Sequence, residues 1–455
     1  MKPVDLKTVS SYCGGELIAG DPAACVSEVS TDSREDLAGK LFVALAGERF
    51  DGHSFVKQAA ASGVTAVLVH QIDSQWLSLG CGVIKCDDTL SALQSLSGAY
   101  RDWHDPHVVS ITGSNGKTST KDFISATLSP KYHVRATAGN LNNHIGLPLS
   151  LLSLREGDDC GVFEIGMNHP GEIAPLAALA KPDGAVITNI GVAHIEYMGS
   201  REAIALEKGM LAEAVSPGGF VVLNADDEFT PSIAARTAAR VVRAGLTGGD
   251  VVASELSIAS DGTRFTVKIE GRQWDAFVPV PGQHMVVNAT LALGVAWQSG
   301  VAIDAAIDAL ANASITKGRL DVRKLNGITF LDDSYNANPD SMKAGLSTLA
   351  GLDCEGRRVA VLGRMGELGV HAESGHAEVG EHAASLGLDA VFTVGAEADR
   401  IARAASAGCG YVSHHPNHEE CAVALGRWLL PGDLVLVKGS RSSAMEKVIN
   451  LLQNA

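Results

Sequence analysis

Residues 110–123 read SITGSNGKTSTKDF, two glycines, two lysines and several hydroxyl side chains set between an apolar run and a helix-forming stretch. At a strand-to-helix turn of this kind several backbone N–H groups point at one spot and the helix dipole adds positive potential, so the chemistry on offer is the holding of phosphate. Gly113 and Gly116 permit close backbone approach, Lys117 can reach outer phosphates, and the Thr118 hydroxyl can ligate Mg²⁺. The usual form is GxxxxGK[ST], whereas here only Ser114 and Asn115 separate the glycines. For the bare pattern a simple turn is the alternative to nucleotide binding.

A phosphate loop needs partners for its metal, and strand ends are where to look for them. GVFEIGMNHPGEI puts Glu164 near the carboxyl end of an apolar strand. An unpaired charge there is costly, so either Mg²⁺ or a nearby lysine should meet it. DGAVITNIGVAHIEYMG delivers His194 on a glycine-flanked loop after a parallel strand, on the face where such sheets bind ligands. A structural histidine is the alternative. Lys208, in SREAIALEKGMLAEA, reads on composition alone as a solvated helix lysine.

The elements that must position these residues are those of an α/β protein. At 455 residues the chain is too long for one core and suits about three domains of common size. Residues 1–105 form a small α/β unit, with strand, glycine-rich turn, helix and strand in LAGKLFVALAGERFDGHSFVKQAAASGVTAVLV. After Asp105-Pro106 a second unit, 106–313, starts at the strand 108–112 and continues through CGVFEIG, DGAVITNI and GGFVVLNADD, which reads as mostly parallel, doubly wound βαβ structure. Residues 251–280 alternate apolar and polar, with turns at Asp261-Gly262 and Glu270-Gly271, so an antiparallel ribbon is expected there. A third α/β unit, 314–455, has strands at RRVAVLG, AVFTV and DLVLVKGS.

The formal charge of −16 argues against nucleic acid or an anionic membrane as the main partner. No window resembles a span of about 20 apolar residues, and the first 15 residues lack the apolar centre of a signal peptide, so a cytoplasmic protein is expected. The eight cysteines are scattered without a CxxC pair, which indicates neither a disulfide framework nor a zinc ribbon. Cys81 and Cys86 read as buried thiols beside a strand, and the histidine cluster SHHPNHEE, residues 413–420, as a solvated loop, with a metal site as the alternative.

TGSNGKTST, FEIGMN, NIGVAHIEYMGS, EKGM, GQHMVVNATLA and DDSYNANPDSM together resemble the Mur ligase family, which builds the peptide stem of bacterial peptidoglycan. The likeness runs from about residue 31 to 447. It implies an amino-terminal domain for a uridine nucleotide, a central ATPase and a Rossmann-like carboxyl-terminal domain closing over ATP. Carried onto this chain, Gly113, Ser114, Asn115, Gly116, Lys117, Thr118 and Ser119 would cradle ATP. Thr118 and Glu164 would hold one Mg²⁺, and His194 would help hold a second. Lys208 falls where the family has a lysine carbamylated by CO₂. Asn288 would face adenine, with a helix-cap amide as the alternative. Arg319 would reach the γ-phosphate, a task suited to a guanidinium fork. Asp333, Tyr335 and Asn336 would contact nucleotide and incoming dipeptide, a turn built by NANP being the plainer reading.

In the amino-terminal unit Ser33, Arg34 and the segment Gly47–His53, with Asp51 and Gly52, resemble the uridine-diphosphate site. A surface salt bridge is the alternative for Arg34. Asn142 and Asn143 fall where the family approaches the muramoyl peptide, although caps and turns explain asparagines too. Arg364 and Gly366 in VLGRMGELG, and Met285 in GQHMVVN, depart from the family pattern. The segments SYNANP and VKGSRSSAMEKVI resemble those of the member that transfers D-alanyl-D-alanine to UDP-N-acetylmuramoyl-tripeptide, which implies that activity here; a monomer is expected. The competitors are addition of the third peptide residue, a folate polyglutamate ligase, and a nucleotide-dependent binding module without ligase activity.

Overall fold

The computed structural model describes residues 1–47 and 50–453, so Glu48 and Arg49 of the GERFDGH segment lie outside the described residues. The chain forms two compact units, which it enters more than once. The first comprises 1–110, 132–166 and 172–183, and the second 111–131, 167–171 and 184–455.

In the first unit a five-stranded sheet has the order Glu16–Ala19, Gly82–Lys85, Ala66–Val69, Leu41–Val43, Val29–Ser30. The last four strands are parallel and the first is antiparallel to its neighbour. One face packs Phe42, Val56, Val67, Val83 and Trp76. Helix Thr89–His104 is started by Asp88, whose carboxylate accepts from Ser91 N–H at 2.7 Å, and is stopped by left-handed Asp105 before Pro106. Its buried Leu93, Leu96 and Tyr100 recur at helical spacing and face the helices Gly146–Leu152 and Ile173–Ala180. Tyr100 donates its hydroxyl to the Leu154 carbonyl, and Arg101 donates to the carbonyls of Ala180 and Lys181. Strand Val134–Ala136 runs parallel to Cys160–Glu164.

In the second unit Gly184–Ile187, Phe220–Asn224, Arg240–Gly245 and Val251–Ala259 follow one another in parallel. Gly262–Ile269 and Arg272–Val278 then complete the expected antiparallel ribbon. Glu270 and Gly271 both take positive φ, the conformation a two-residue hairpin turn needs. Helices Lys117–Leu128 and Gln283–Gln298 pack on each other. A further sheet has the order Asp321–Leu325, Ile328–Asp333, Leu434–Lys438, Arg358–Leu362, Ala390–Val394, Tyr411–His415, parallel except for the first strand.

The solvated-loop reading of 413–420 is corrected here. Tyr411–His415 is a strand paired with Ala390–Val394, and Asn417 caps helix His418–Trp428. The loop reading gave weight to Pro416 and to polarity; sheet pairing on one side of the proline and a cap on the other overrode both. The histidines take separate partners: His414 with Thr393, His415 with Ser413, His418 with the Ser443 carbonyl. The eight cysteines are free thiols, and Cys81 and Cys86 are buried at the ends of Gly82–Lys85, as expected. No helix among the described residues is long and apolar enough to cross a membrane.

Candidate active site

Strand His107–Thr112 gives way to helix Lys117–Leu128 through Gly113–Gly116 alone. Both glycines are required. Gly113 (φ 151°) and Gly116 (φ 80°) take backbone angles that side chains disfavour. A Cβ on Gly113 would collide with Thr188 Oγ1, and one on Gly116 would lie 2.6 Å from Asn288 Oδ1. The loop leans on residues 188–191. Ser114 N–H donates to the Asn189 carbonyl (2.9 Å) and Asn115 N–H to Asn189 Oδ1 (3.0 Å). Gly191 N–H donates to Ser114 Oγ (2.9 Å). The amides of Ser114 and Asn115 are thus engaged inside the protein. Pairing along the helix starts only with Thr120 N–H on the Gly116 carbonyl, so the loop's anion-facing donors belong to the first helical turn.

Lys117 Nζ and Lys208 Nζ both reach the Gly113 carbonyl, at 2.6 and 3.1 Å. Lys208 is 1% exposed, which corrects the composition-based reading of a solvated lysine. Helix Arg201–Glu213 turns Glu207, Lys208 and Gly209 inward. Burial pushes the Lys208 amine well below the usual lysine range, the nearby Lys117 charge adds to that, and Glu207 opposes it. Thr118 Oγ1 lies 3.4 Å from Arg319 Nη2, and the Arg319 guanidinium stacks 4.3 Å from the Tyr335 ring.

Asp333 and Lys438 are paired positions on adjacent parallel strands, and their side chains meet at 2.5 Å, with Lys438 also donating to the Asn336 carbonyl. The Asn336 side chain turns back to Ala337 N–H. Asn338 caps helix Pro339–Gly351 through a reciprocal pair with Ser341, and its Nδ2 donates to Asn115 Oδ1 at 2.8 Å. NANP is therefore a helix start as well as a turn. Asn288 is no cap. It lies inside Gln283–Gln298, buried beneath Gly116, with its amide 3.8 Å from Met285 sulfur. His194 (φ 65°) opens the short helix Ile195–Met198, and its Nδ1 is 2.6 Å from Glu367 Oε2. That contact holds the Glu367 carboxyl below the usual glutamate range. Arg364 pairs with Glu397 and Ser442.

Within the first unit Glu164 ends its strand 1% exposed, its N–H donating to Thr137 Oγ1. Its Oε2 lies 3.4 Å from Asn142 Nδ2, while Oε1 is buried with no hydrogen-bond partner. No lysine meets it among the described residues. An orphaned carboxylate oxygen of this kind suits a hard cation. Asn143 Oδ1 accepts from Ile145 and Gly146 N–H, a turn role. The exposed Arg34 pairs with both oxygens of Asp32. The Ser33 carbonyl accepts from Gln58. Gly47 lies exposed on the strand Ala46–Gly47, which pairs antiparallel with Phe50–Asp51. Asp51 caps the turn at Gly52, where a Cβ would come within 2.9 Å of the backbone of Ala44 and Leu45. His53 is buried with Nδ1 on Asp51 and Nε2 accepting from His70 N–H, so both ring nitrogens are taken within the unit.

Three family domains match the chain: Mur ligase family, catalytic domain, over residues 26–100; Mur ligase middle domain over 111–296; and Mur ligase, glutamate ligase domain, over 318–441. The UDP-N-acetylmuramoyl-tripeptide--D-alanyl-D-alanine ligase of Bacillus subtilis is 39% identical over 424 residues, 92% of each chain. The chain belongs to the Mur ligase family. A crystal structure of MurF from Acinetobacter baumannii aligns with this Mur ligase at TM-score 0.91 and 32% identity, covering 100% of this chain and 99% of that one. MurF ligase from Thermotoga maritima in complex with ADP aligns at 0.84 and 29%, covering 94% and 97%.

The sequence reading of this Mur ligase missed several residues that shape the site. Thr188 and Asn189 wall the phosphate loop, and Asp340 accepts from Val192 N–H at 3.1 Å. Lys438 and Glu367 approach from far along the chain. The signal for Asn338 was present, since an asparagine before proline with serine three residues on is a helix start. For Thr188, Lys438 and Glu367 there was none, because each matters only through a neighbour remote in sequence.

Proposed function

We propose that this chain is an ATP-dependent, ADP-forming ligase that joins D-alanyl-D-alanine to UDP-N-acetylmuramoyl-tripeptide in peptidoglycan precursor synthesis. The observation that carries the reading is the likeness, over 92% of both chains, to a ligase of that name, met by a phosphate loop whose geometry suits a nucleotide. On this reading 1–105 holds the uridine nucleotide, 106–313 is the ATPase and 314–455 closes over ATP, in a cytoplasmic monomer acting on small molecules alone.

A carboxylate has no good leaving group, so the tripeptide's terminal carboxylate oxygen first attacks the γ-phosphorus of ATP and ADP leaves. The D-alanyl-D-alanine amine then attacks the acyl carbon of the resulting acyl phosphate. Inorganic phosphate departs with the C–O electron pair, and the amine proton goes to solvent. Two anions must approach in the first step. Lys117, the first-turn amides at Gly116–Ser119 and the Arg319 guanidinium offset that repulsion as charge develops. Asn288, Asp333, Tyr335 and Asn336 orient the nucleotide. Ser33, Arg34, Gly47, Asp51, Gly52 and His53 form the wall for the uridine nucleotide, with His53 acting through Asp51, and Asn142 and Asn143 shape the muramoyl-peptide side.

On the family resemblance Thr118 would be a ligand for Mg²⁺, Glu164 would offer its carboxylate to such an ion, and His194 and a carbamylated Lys208 would hold a second; the ions would supply positive charge to the phosphate oxygens. Burial disfavours the Lys208 charge, and the uncharged amine is the form that adds CO₂: an N–C bond forms, one N–H proton is lost to solvent, and the neutral amine becomes an anionic carbamate. Purified protein in ¹³C-bicarbonate should show a carbamate carbon resonance that Lys208→Arg lacks; its persistence in the variant would remove the modification from Lys208.

The reading is tested by phosphate release, which should require ATP, UDP-tripeptide and dipeptide together. Lys117→Ala should lower that release by about 10³-fold with the circular dichroism spectrum unchanged. Release without the dipeptide would favour a nucleotide-dependent binding module. Product formed from a UDP-dipeptide and diaminopimelate or lysine would favour the enzyme for the third residue, and product from folate and glutamate the folate ligase.

A further inference from the structure

We propose that Glu367 is a positioning residue for the reaction: its carboxylate grips the His194 imidazole at Nδ1, so that Nε2 keeps its lone pair for the divalent cation. The proposal rests on the reading of His194 as a cation ligand.

Glu367 Oε2 lies 2.6 Å from His194 Nδ1, an ion-pair distance, and no hydrogen-bond partner engages that buried nitrogen. Both residues carry the strained left-handed backbone, φ 59° at Glu367 and φ 65° at His194. Left-handed backbone at one non-glycine residue is uncommon; at two that touch, the surrounding structure must be imposing it. The segments meet a second time, since Glu196 N–H points to the Glu367 carbonyl at 3.4 Å. A Cβ on Gly369 (φ 51°) would lie 2.9 Å from Glu196 Cγ, so the glycine of ELG permits the approach. Histidine has two nitrogens and one proton when neutral. A carboxylate at Nδ1 draws the proton there and leaves Nε2 as the donor atom, which is how carboxylates orient metal-binding histidines elsewhere. A plain surface ion pair is the competing account, because the Glu367 side chain is 44% exposed.

Mn²⁺ is the probe, titrated by electron paramagnetic resonance into the full-length protein saturated with a non-hydrolysable ATP analogue, so that no turnover is involved. Glu367→Ala should weaken the His194-dependent Mn²⁺ site by about 10-fold or more, the usual effect of losing such an orienting partner. Glu367→Gln, whose amide oxygen can accept from Nδ1–H, should stay within about 3-fold of the parent on the same scale. The double variant His194→Ala/Glu367→Ala should bind no more weakly than His194→Ala alone. In turnover, raised Mg²⁺ should recover kcat in Glu367→Ala and leave Lys117→Ala dead.

Unchanged Mn²⁺ affinity in Glu367→Ala overturns the proposal in favour of the surface pair. Equal damage from Gln and Ala overturns it too, because the charge itself would then be what the cation needs. Additive losses in the double variant do the same. If Glu367→Ala gives no cooperative melt, Glu367→Gly removes the same carboxylate while relieving the left-handed backbone, and the same outcomes apply. Absence of any Mn²⁺ site in the parent would remove the reading of His194 and this proposal with it, whereas dipeptide-dependent phosphate release would still stand for the function.

Discussion

Gly116 shows how one residue couples backbone to site. Its φ of 80° and the presence of Asn288 Oδ1 where a side chain would begin are separate obstacles. Gly116→Ala should cost about 1–2 kcal/mol for the left-handed conformation alone. By calorimetry it should lose ADP binding by more than about 10-fold, the 1.4 kcal/mol that such a factor represents. Adding Asn288→Ala should return part of the stability and little of the binding, because the backbone strain stays. His284 offers a residue-scale test by pH. Its imidazole is pushed down to about 4 by burial, with Asp333 pulling the other way and Lys438 reinforcing it. The unfolded chain therefore takes up this proton first as pH falls. The contribution is present above pH ~6.5 and is lost between there and about 4, with a slope of at most ~1.4 kcal/mol per pH unit. Thermal midpoints at pH 7, 5.5 and 4.5 should fall more steeply for the parent than for His284→Gln. Parallel curves would show that His284 does not titrate in this way.

Among the elements, helix Pro339–Gly351 brings the DSYNANP segment to the phosphate loop. Asn338 both caps it and donates to Asn115, and two substitutions separate these tasks. Asn338→Ala should lose the cap, about 1 kcal/mol, and lower the thermal transition by about 2–4 °C. Asn338→Asp keeps a capping oxygen and loses only the donor. It should leave the melt near that of the parent while raising the KM for ATP, and an unchanged KM would reduce the contact to packing. Most elements were legible because their signals are local: alternation over 251–280, short apolar strands between helices, a glycine turn after a strand. The strand Tyr411–His415 was not, since its pairing partner, Ala390–Val394, lies in another part of the sequence.

At the scale of the whole molecule the chain threads its two compact units repeatedly, and the first draws on 132–166 and 172–183 as well as 1–110. Helix Thr89–His104 needs those later segments. Without them Tyr100 loses the Leu154 carbonyl, Arg101 loses the carbonyls of Ala180 and Lys181, and the apolar face of the helix is bare. A fragment of residues 1–105 should therefore show fast amide exchange over 89–104, while the same helix is protected in the full chain. Equal protection in both would mean that the amino-terminal part folds complete by itself.

The sequence by itself determined the α/β class, the trimmed phosphate loop, the ribbon and the family, because spacing, turn residues and periodicity are properties of neighbours along the chain. It could also number Glu164, His194, Lys208 and Arg319 through the family resemblance. Only the tertiary structure decided that Lys208 is dry, that Asn288 lies beneath Gly116, that Asp333 meets Lys438 and that Glu367 reaches His194. Burial and ion pairing depend on which strands and loops become neighbours in space, and no local pattern carries that information.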